Sequence, residues 1–381
     1  MNSIERVESV FNFREPDKLP IHHIGFSSQV ASALLGREAH VGGGIQQWRE
    51  AVAWWRGDDA HREFVERSFQ DAIDVALVAD NDIVRPTYWR LNRKPTRRID
   101  EYTFLYEYGP ESNWKVLKYD PNTEQSRHID YIEPGEQTFA DLEKQLDIEE
   151  EALETYQPKD ADYNFELRAK KLIGQERVIR VGGIGLMLPQ EAIWLEATLD
   201  RPDLVHRFFR LAAERAAKTI PFLAGDGFRY IFGGGDLASQ NGPLYSPKSF
   251  RELLLPYLQQ VSDVCHRHGC LHMFSSDGNT WPLADDLFGR SGIDVYFEID
   301  RRAGMDLLKL RQRLPKLRMI GNISSHTVFT GTLQQISDEA RSCLDEARQA
   351  RGVVVGASNY FVTGTPIKNV MALLDVIRTY R

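Results

Sequence analysis

Asp277 stands in the run Gly269 to Asn279, GCLHMFSSDGN, where a short apolar strand from Cys270 to Phe274 empties into Ser275, Ser276, Asp277, Gly278 and Asn279. Small polar and acidic side chains at the carboxyl end of a buried strand are poor core material. That rim is where a parallel α/β protein keeps its ligand contacts, because the strand below is rigid and the end is open. Asp277 is therefore the first candidate for acid–base or metal chemistry, and Gly278 lets a ligand or the backbone come close. A capping role competes, since aspartate and asparagine both favour helix N-caps and Asp277 and Asn279 precede a helical stretch. His272, inside the same strand, reads as a core histidine. Asp236 follows Gly233-Gly234-Gly235 at the end of an earlier strand, and Glu298 and Asp300 close a later one. If the fold gathers Asp236, Asp277 and Glu298, they suit general acid–base catalysis or a hard divalent cation. A structural ion-pair network competes for Glu298 and Asp300.

Other strand ends carry polar groups as well. Asp80, Asp82, Arg85, Tyr88, Trp89 and Arg90 lie in and around the end of the second expected strand. Arginines alternating with aromatic rings can grip a flat anion by bidentate hydrogen bonds and stacking, which makes Arg85, Tyr88 and Arg90 substrate-binding candidates. His22 and His23 must point to opposite sides of their strand, so one of them faces the interior. Ser275, Asn279, Asn322, Ser358 and Asn359 complete a plausible polar lining, with no role fixed by spacing. No Ser-His-Asp order, P-loop or HExxH segment is visible.

Positioning these residues requires strands in one direction. Strand-like runs fall near Leu19–Ile24, Asp82–Arg85, Val178–Gly182, Tyr230–Phe232, Cys270–Phe274, Val295–Phe297, Arg318–Ile320 and Gly352–Val355. Helical patterns lie between most of them: Gln190–Leu199 with Pro202–Ala224, Pro247–His268, Met305–Leu314 and Leu333–Ala350. A last helix, Ile367–Tyr380, follows Pro366. This alternation predicts a (β/α)8 TIM barrel, whose strands read as continuous apolar runs because both faces are buried. An open doubly wound sheet is the second choice, but Gly182-Gly183-Ile184-Gly185 and Gly233-Gly234-Gly235 lack the dinucleotide spacing. Residues ~95–165 break the pattern. TFLYEYG, NWKVLKYDP and HIDYIEPG predict short antiparallel strands with Gly-Pro and Asp-Pro turns, inserted over the barrel mouth. The acidic helical run Asp141–Glu154 reads as a solvated face. The chain thus reads as a single barrel domain over residues 1–381, with Trp48, Trp54 and Trp55 as packing residues of flanking helices.

Bulk properties narrow the class. The 381 residues are 42% hydrophobic and 27% charged, as in an ordinary globular protein. A formal net charge of -8 argues against a nucleic-acid partner. No apolar run reaches the ~18–20 residues of a membrane span, and the first residues lack a signal peptide's apolar middle. A cytoplasmic protein with a small-molecule substrate is expected. Cys265, Cys270 and Cys343 fit neither a disulfide framework nor a zinc pair and read as small buried residues.

Several segments together resemble the uroporphyrinogen decarboxylase superfamily. They are Phe13-Arg14-Glu15-Pro16-Asp17-Lys18-Leu19-Pro20, Gly235-Asp236-Leu237, Gly242-Pro243-Leu244-Tyr245-Ser246-Pro247, Ser276-Asp277-Gly278-Asn279, Gly321-Asn322-Ile323 and Gly364-Thr365-Pro366-Ile367-Lys368-Asn369-Val370. The resemblance implies the same barrel and two kinds of activity, decarboxylation and methyl transfer to or from corrinoid proteins. It makes Asp82 the positional match of the decarboxylase's catalytic aspartate. The arginine-rich segment by which that decarboxylase holds carboxylates corresponds here to His22-His23-Ile24-Gly25-Phe26-Ser27-Ser28-Gln29, without arginine, which implies a different substrate. Zinc-binding methyltransferases of the superfamily use a His-x-Cys and a further cysteine. The matching positions are Ser275, Asp277 and roughly Asn359, which are not soft ligands.

The Asp-Gly-Asn portion tilts the expectation to the methyltransferase branch: an enzyme that demethylates a small O- or N-methylated compound, working with a separate corrinoid-binding protein. No Asp-x-His-x-x-Gly segment is present, so a corrinoid held tightly by this chain is not expected. Catalytic roles fall to Asp277 and Asp236 with Glu298 in support, either as acids or as ligands of a divalent metal ion. The alternatives are a decarboxylase using Asp82 with Arg85 or Arg90, and a non-catalytic ligand-binding barrel.

Overall fold

The computed structural model describes residues 1–107, 114–131, 138–189 and 191–381. Its internal contacts divide the chain into two units. One comprises Met1–His22, Gln137–Ser324 and Ser342–Ser358; the other comprises His23–Glu136, Ser325–Arg341 and Asn359–Arg381.

The second of these holds strand β1 (Ile83–Val84) and a four-stranded antiparallel sheet in sequential order: β2 (Arg97–Arg98), β3 (Thr103–Glu107), β4 (Trp114–Asp120) and β5 (Gln125–Tyr131). The antiparallel strands expected in the insertion are therefore present, although the Gly-Pro turns expected beside them fall outside the described residues. A bulge between Val116 and Leu117 breaks the in–out alternation, so that Val116 and Tyr119 are both buried three positions apart. Helix Gly44–Arg56 lies on this sheet. Trp48 stacks on Tyr119 with centroids 4.9 Å apart, and Ala51, Phe104 and Tyr106 form a small core beside it. Gly44 is required there, because a Cβ would stand 2.2 Å from the Ser126 amide nitrogen. Trp54 stacks on His61, whereas Trp55 is exposed and packs less than expected.

The other unit is built on a parallel sheet. Its strands are β6 (Val178–Ile179), β7 (Tyr230–Gly234), a short hairpin β8 (Ala238–Ser239) and β9 (Gly242–Pro243), then β10 (Leu271–Ser275), β11 (Val295–Phe297), β12 (Arg318–Ile320) and β13 (Val353–Val354). The sheet order is β13-β12-β11-β10-β7, all parallel, with helical crossovers between successive strands. Isolated parallel bridges extend it at both edges, Val181 to Ile231 and Ile21 to Val355. The strand expected over Leu19–Ile24 reduces to that bridge and two backbone bonds around it, and Pro20 near its start has no N–H to extend the ladder.

Two expectations about helices are corrected. The helix expected over Pro247–His268 is interrupted by a π-helical turn, Phe250–Leu254, before Leu255–Arg267. Pro256 removes one amide and crowds the carbonyl four residues back, which widens the preceding turn. The acidic helix Phe139–Thr155 is not merely solvated. Glu143 pairs with Arg201 at 2.6 Å, Asp147 with Arg207 at 2.7 Å, and Glu150 with Arg207 and Arg210, which tie it to helix Pro202–Gly225. Among the described residues no helix is long and apolar enough to cross a membrane.

Candidate active site

The ends of β7 and β10 are stitched together residue by residue. The amide of Gly235 donates to the Ser275 carbonyl at 3.0 Å, and that of Leu237 to Ser276 Oγ at 3.0 Å. Gly234 makes this possible: its φ is +122°, and a Cβ there would lie 2.5–2.6 Å from Ser275 O, N and Oγ. Further out, the Asp277 amide donates to Asp236 Oδ1 at 3.3 Å, and the Asn279 amide to the Ser239 carbonyl at 2.8 Å. Gly278, with φ +80°, fits directly beneath the carbonyls of Ala238 and Ser239. Asn279 Oδ1 accepts from the Trp281 amide at 3.2 Å and holds the turn that leads into Trp281–Leu283.

The third acid arrives from β11. After Phe297 the backbone of Glu298 adopts φ +73°, a left-handed conformation costly for a side chain longer than glycine, and its amide donates to the Ile320 carbonyl. The result is that Asp236, Asp277 and Glu298 each offer a carboxylate oxygen, all within 4.8 Å of one another. Asp236 is exposed, Asp277 half-buried and Glu298 8% exposed. Below them the Tyr296 hydroxyl donates to the Ser276 carbonyl at 3.2 Å; burial, and then the charges of Asp277, Glu298 and Asp300, push its pKa up. Asp300 stays out of the cluster, because its carboxylate caps the turn Arg301–Ala303 through the amides of Arg302 and Ala303.

Three clustered carboxylates attract a cation. All three donors are hard carboxylate oxygens, so the set fits a divalent ion of the magnesium or manganese type. It does not fit a zinc–thiolate centre.

The sheet has two distinct faces. Ser262 Oγ and His272 Nδ1 lie 2.8 Å apart, so His272 and Phe274 face helix Leu255–Arg267, and burial holds His272 neutral with its pKa pushed down to about 3. Met273 and Ser275 face the other way, and register places Phe232 and Phe297 on that same face. His22 joins them, its ring 5.3 Å from Phe297 and 6.4 Å from Phe232. Asn322 is buried and donates to Glu346 Oε2 at 3.3 Å; Ser358 is buried with its amide on the Ile323 carbonyl.

The remaining candidates belong to the antiparallel-sheet unit. His23 packs between Phe26 and Phe361, and burial followed by the charge of Arg381 lowers its pKa to about 3. Asp82 is buried and accepts from Arg381 at 3.1 Å. Arg90 is held by Glu50, at 2.9 Å from Nε and 2.5 Å from Nη2. Arg85 lies over Tyr88 at 4.9 Å and Trp89 at 4.4 Å. Asn359 Oδ1 accepts from the Tyr360 amide.

Two residues escaped the sequence reading. Glu50, fully buried, collects Arg90, His61 and the amides of Leu91 and Asn92, and so fixes the segment bearing Arg85, Tyr88 and Trp89. Its sequence signal is weak, an acid on a helix. Arg180 places a guanidinium over Phe232 at 4.1 Å and Phe297 at 5.4 Å. Its signal was available: a charge inside the strand-like run Val178-Ile179-Arg180-Val181.

Comparison with known proteins bears on this site. The family model of uroporphyrinogen decarboxylase (URO-D) matches residues 190–380, which include all three acids. A uroporphyrinogen decarboxylase of Anaeromyxobacter dehalogenans (strain 2CP-C) is 26% identical over 133 residues, 35% of this chain. The match spans only 37% of that relative's own length. Among solved structures, a methyltransferase from Methanosarcina mazei aligns with 100% of this chain and 99% of its own, with a TM-score of 0.63 and 18% identity, a likeness of fold.

Proposed function

The chain belongs to the uroporphyrinogen decarboxylase family, and from that premise we propose that it is a methyl-transferring enzyme, removing a methyl group from a small O- or N-methylated compound for a corrinoid carried by a separate protein. The observation that carries this reading is the convergence of Asp236, Asp277 and Glu298 at the ends of β7, β10 and β11. The proposed frame is a closed eight-stranded barrel in the cytoplasm.

A methyl ether or amine is a poor source of methyl because its heteroatom leaves with negative charge. Demethylation therefore needs a proton or a cation at that atom. Asp277 and Asp236, joined by the Asp277 amide, would sit beside it, and Glu298 would complete the acidic wall. A divalent ion held by the three carboxylates would supply Lewis acidity at the departing heteroatom. The remaining acceleration comes from orientation: rigid strand ends hold the substrate so that its methyl faces the acceptor.

Decarboxylation is the second reading, and the family relationship favours it as much. It asks Asp82 and Arg90 to meet substrate, but Arg381 and Glu50 engage them. A decayed, non-catalytic barrel would have little use for a strained glutamate in an acid cluster.

The test is to incubate the protein with labelled methyl ethers and methylamines plus free reduced cobalamin, and to follow label transfer. Transfer abolished by Asp277→Asn supports the reading. Release of carbon dioxide from carboxylated compounds, with no methyl transfer from any of the panel, overturns it.

A further inference from the structure

Tyr296 is wholly buried in the middle of β11, where register pairs it with Phe274 on one side and Met319 on the other. Its ring packs on Phe288 with centroids 4.2 Å apart. Phenylalanine would fill that space equally well, and a hydroxyl in such surroundings costs free energy unless it is bonded. The hydroxyl donates to the Ser276 carbonyl at 3.2 Å, one residue beyond the last paired residue of β10. The Thr280 side chain bonds the same phenol oxygen.

Ser276 and Asp277 share one peptide unit, and both of its polar groups are engaged. The carbonyl accepts from Tyr296, and the N–H, which belongs to Asp277, donates to Asp236 Oδ1 at 3.3 Å. A trans peptide is planar with its two polar groups opposed, so fixing the carbonyl fixes the direction of the N–H. Thr280, Tyr296, this peptide and Asp236 therefore form one run of hydrogen bonds, from a fully buried side chain to an exposed carboxylate. Bonds in such a run polarise one another. Asp236 depends on it: among the described residues the Asp277 amide is the one donor that meets its carboxylate. The neighbouring bonds do not share the task. The Leu237 amide meets Ser276 Oγ at 3.0 Å, and Ser276 Oγ meets the Asp277 carbonyl at 3.1 Å, so they hold the serine side chain and the next peptide.

We infer that Tyr296 is a positioning residue of the acid cluster: its hydroxyl turns the Ser276–Asp277 peptide so that the amide faces, and orients, the Asp236 carboxylate. Without the hydroxyl the Ser276 carbonyl is left buried and unpaired, the peptide rotates toward another donor, and the amide leaves Asp236. The inference deepens the methyl-transfer reading, which needs Asp236 aimed at the departing heteroatom or its cation, and it takes only that chemistry from the reading. The positioning itself stands on the hydrogen bonds.

The test labels serine at its carbonyl carbon and aspartate at its amide nitrogen in the intact protein. The junctions Ser262–Asp263, Ser276–Asp277 and Ser337–Asp338 then give NMR signals that carry both labels, and the Asp277 signal is assigned by its loss in Asp277→Asn. Tyr296→Phe should speed solvent exchange of the Asp277 amide roughly tenfold, the effect of losing about one hydrogen bond, and leave Asp263 and Asp338 unchanged. Tyr296→4-aminophenylalanine, which keeps a donor at the ring tip, should restore most of the protection. Tyr230→Phe removes a hydroxyl from the opposite end of the sheet and should change nothing at Asp277. Asp236→Ala should speed Asp277 exchange in the wild type and add nothing further in Tyr296→Phe. Unaltered exchange at Asp277 in Tyr296→Phe overturns the inference. So does equal acceleration at all the labelled junctions, or an Asp236→Ala effect that is the same in both backgrounds. If Tyr296→Phe does not fold, Tyr296→3-fluorotyrosine supplies a stronger donor of nearly the same size and should slow Asp277 exchange; no change there is equally fatal. Mn2+ affinity carries the result to the cluster: Tyr296→Phe should weaken it roughly ten- to a hundredfold, as the loss of a bond that orients a ligand does. Undiminished affinity in a variant whose Asp277 amide has moved overturns the claim that the peptide orients Asp236. A wild type that neither binds Mn2+ nor transfers methyl retires the proposed activity, while the amide readouts still decide the role of Tyr296.

Discussion

The Asp277 amide donates to the Asp236 carboxylate at 3.3 Å, so the end of one strand orients the acid of its neighbour. Neither acid is placed by its own loop alone. A change that moves either loop is felt by both.

Divalent-ion binding should depend on all three acids. Titration with Mn2+, followed by electron paramagnetic resonance, should show one site in the wild type. Asp277→Asn and Glu298→Gln should each weaken it by more than the roughly tenfold typical of outer-shell changes, with little effect on thermal stability. Wild-type behaviour in either variant would mean that the carboxylates meet without cooperating.

Gly234→Ala should be among the most damaging single-methyl additions in the chain. The new Cβ would collide with backbone atoms of Ser275, which cannot swing aside, at a φ that alanine disfavours. A loss of roughly 2–5 kcal/mol is expected in urea unfolding. An unaffected midpoint would show that β7 and β10 can slide apart at no cost.

Acid should destabilise the fold before its carboxylates titrate. His23 and His272 are buried and neutral, with pKa values lowered to about 3 from an ordinary 6.5. Between those values the unfolded chain binds protons that the folded chain refuses, so stability falls as pH drops through the window. Each such histidine contributes a slope of about 1.4 kcal/mol per pH unit. Urea midpoints from pH 7 downward should fall steadily, and His272→Gln should flatten the slope. Equal slopes in wild type and variant would mean that His272 is protonated in the fold.

Glu50→Ala leaves the Arg90 guanidinium without its carboxylate, at a cost of about 3–5 kcal/mol for a broken buried pair. It also releases the amides of Leu91 and Asn92. Trp89, 44% exposed at the surface, should then become more accessible to acrylamide quenching. Unchanged quenching would show that Arg85 and Tyr88 hold this segment without help.

Much of this was legible in the residues. The apolar runs at Val295–Phe297 and Arg318–Ile320 coincide with β11 and β12, because strands buried on both faces carry an uninterrupted signal. The acid trio could be named because each member follows such a strand. What could not be read were the partners of the charges. Asp82 and Arg381 are 299 positions apart, and no local pattern announces that pairing. Arg90 and Glu50 are 40 positions apart, still too far for a local pattern to announce that the Arg90 guanidinium pairs with a buried carboxylate. Asp300 looked equivalent to Glu298 until the left-handed turn at Glu298 separated their directions. The π-helical turn before Pro256 was signalled by the proline, yet the helical periodicity around it concealed the widening.

Glu298 carries a further implication. Glycine would occupy its backbone conformation without steric strain, a relief of about 1–3 kcal/mol that exceeds its backbone-entropy cost of roughly 0.5–1 kcal/mol, so Glu298→Gly should raise the unfolding midpoint even as it erodes ion binding. A variant that becomes sturdier and duller together would mark this position as one kept against the preference of the chain itself, for the sake of what its side chain does.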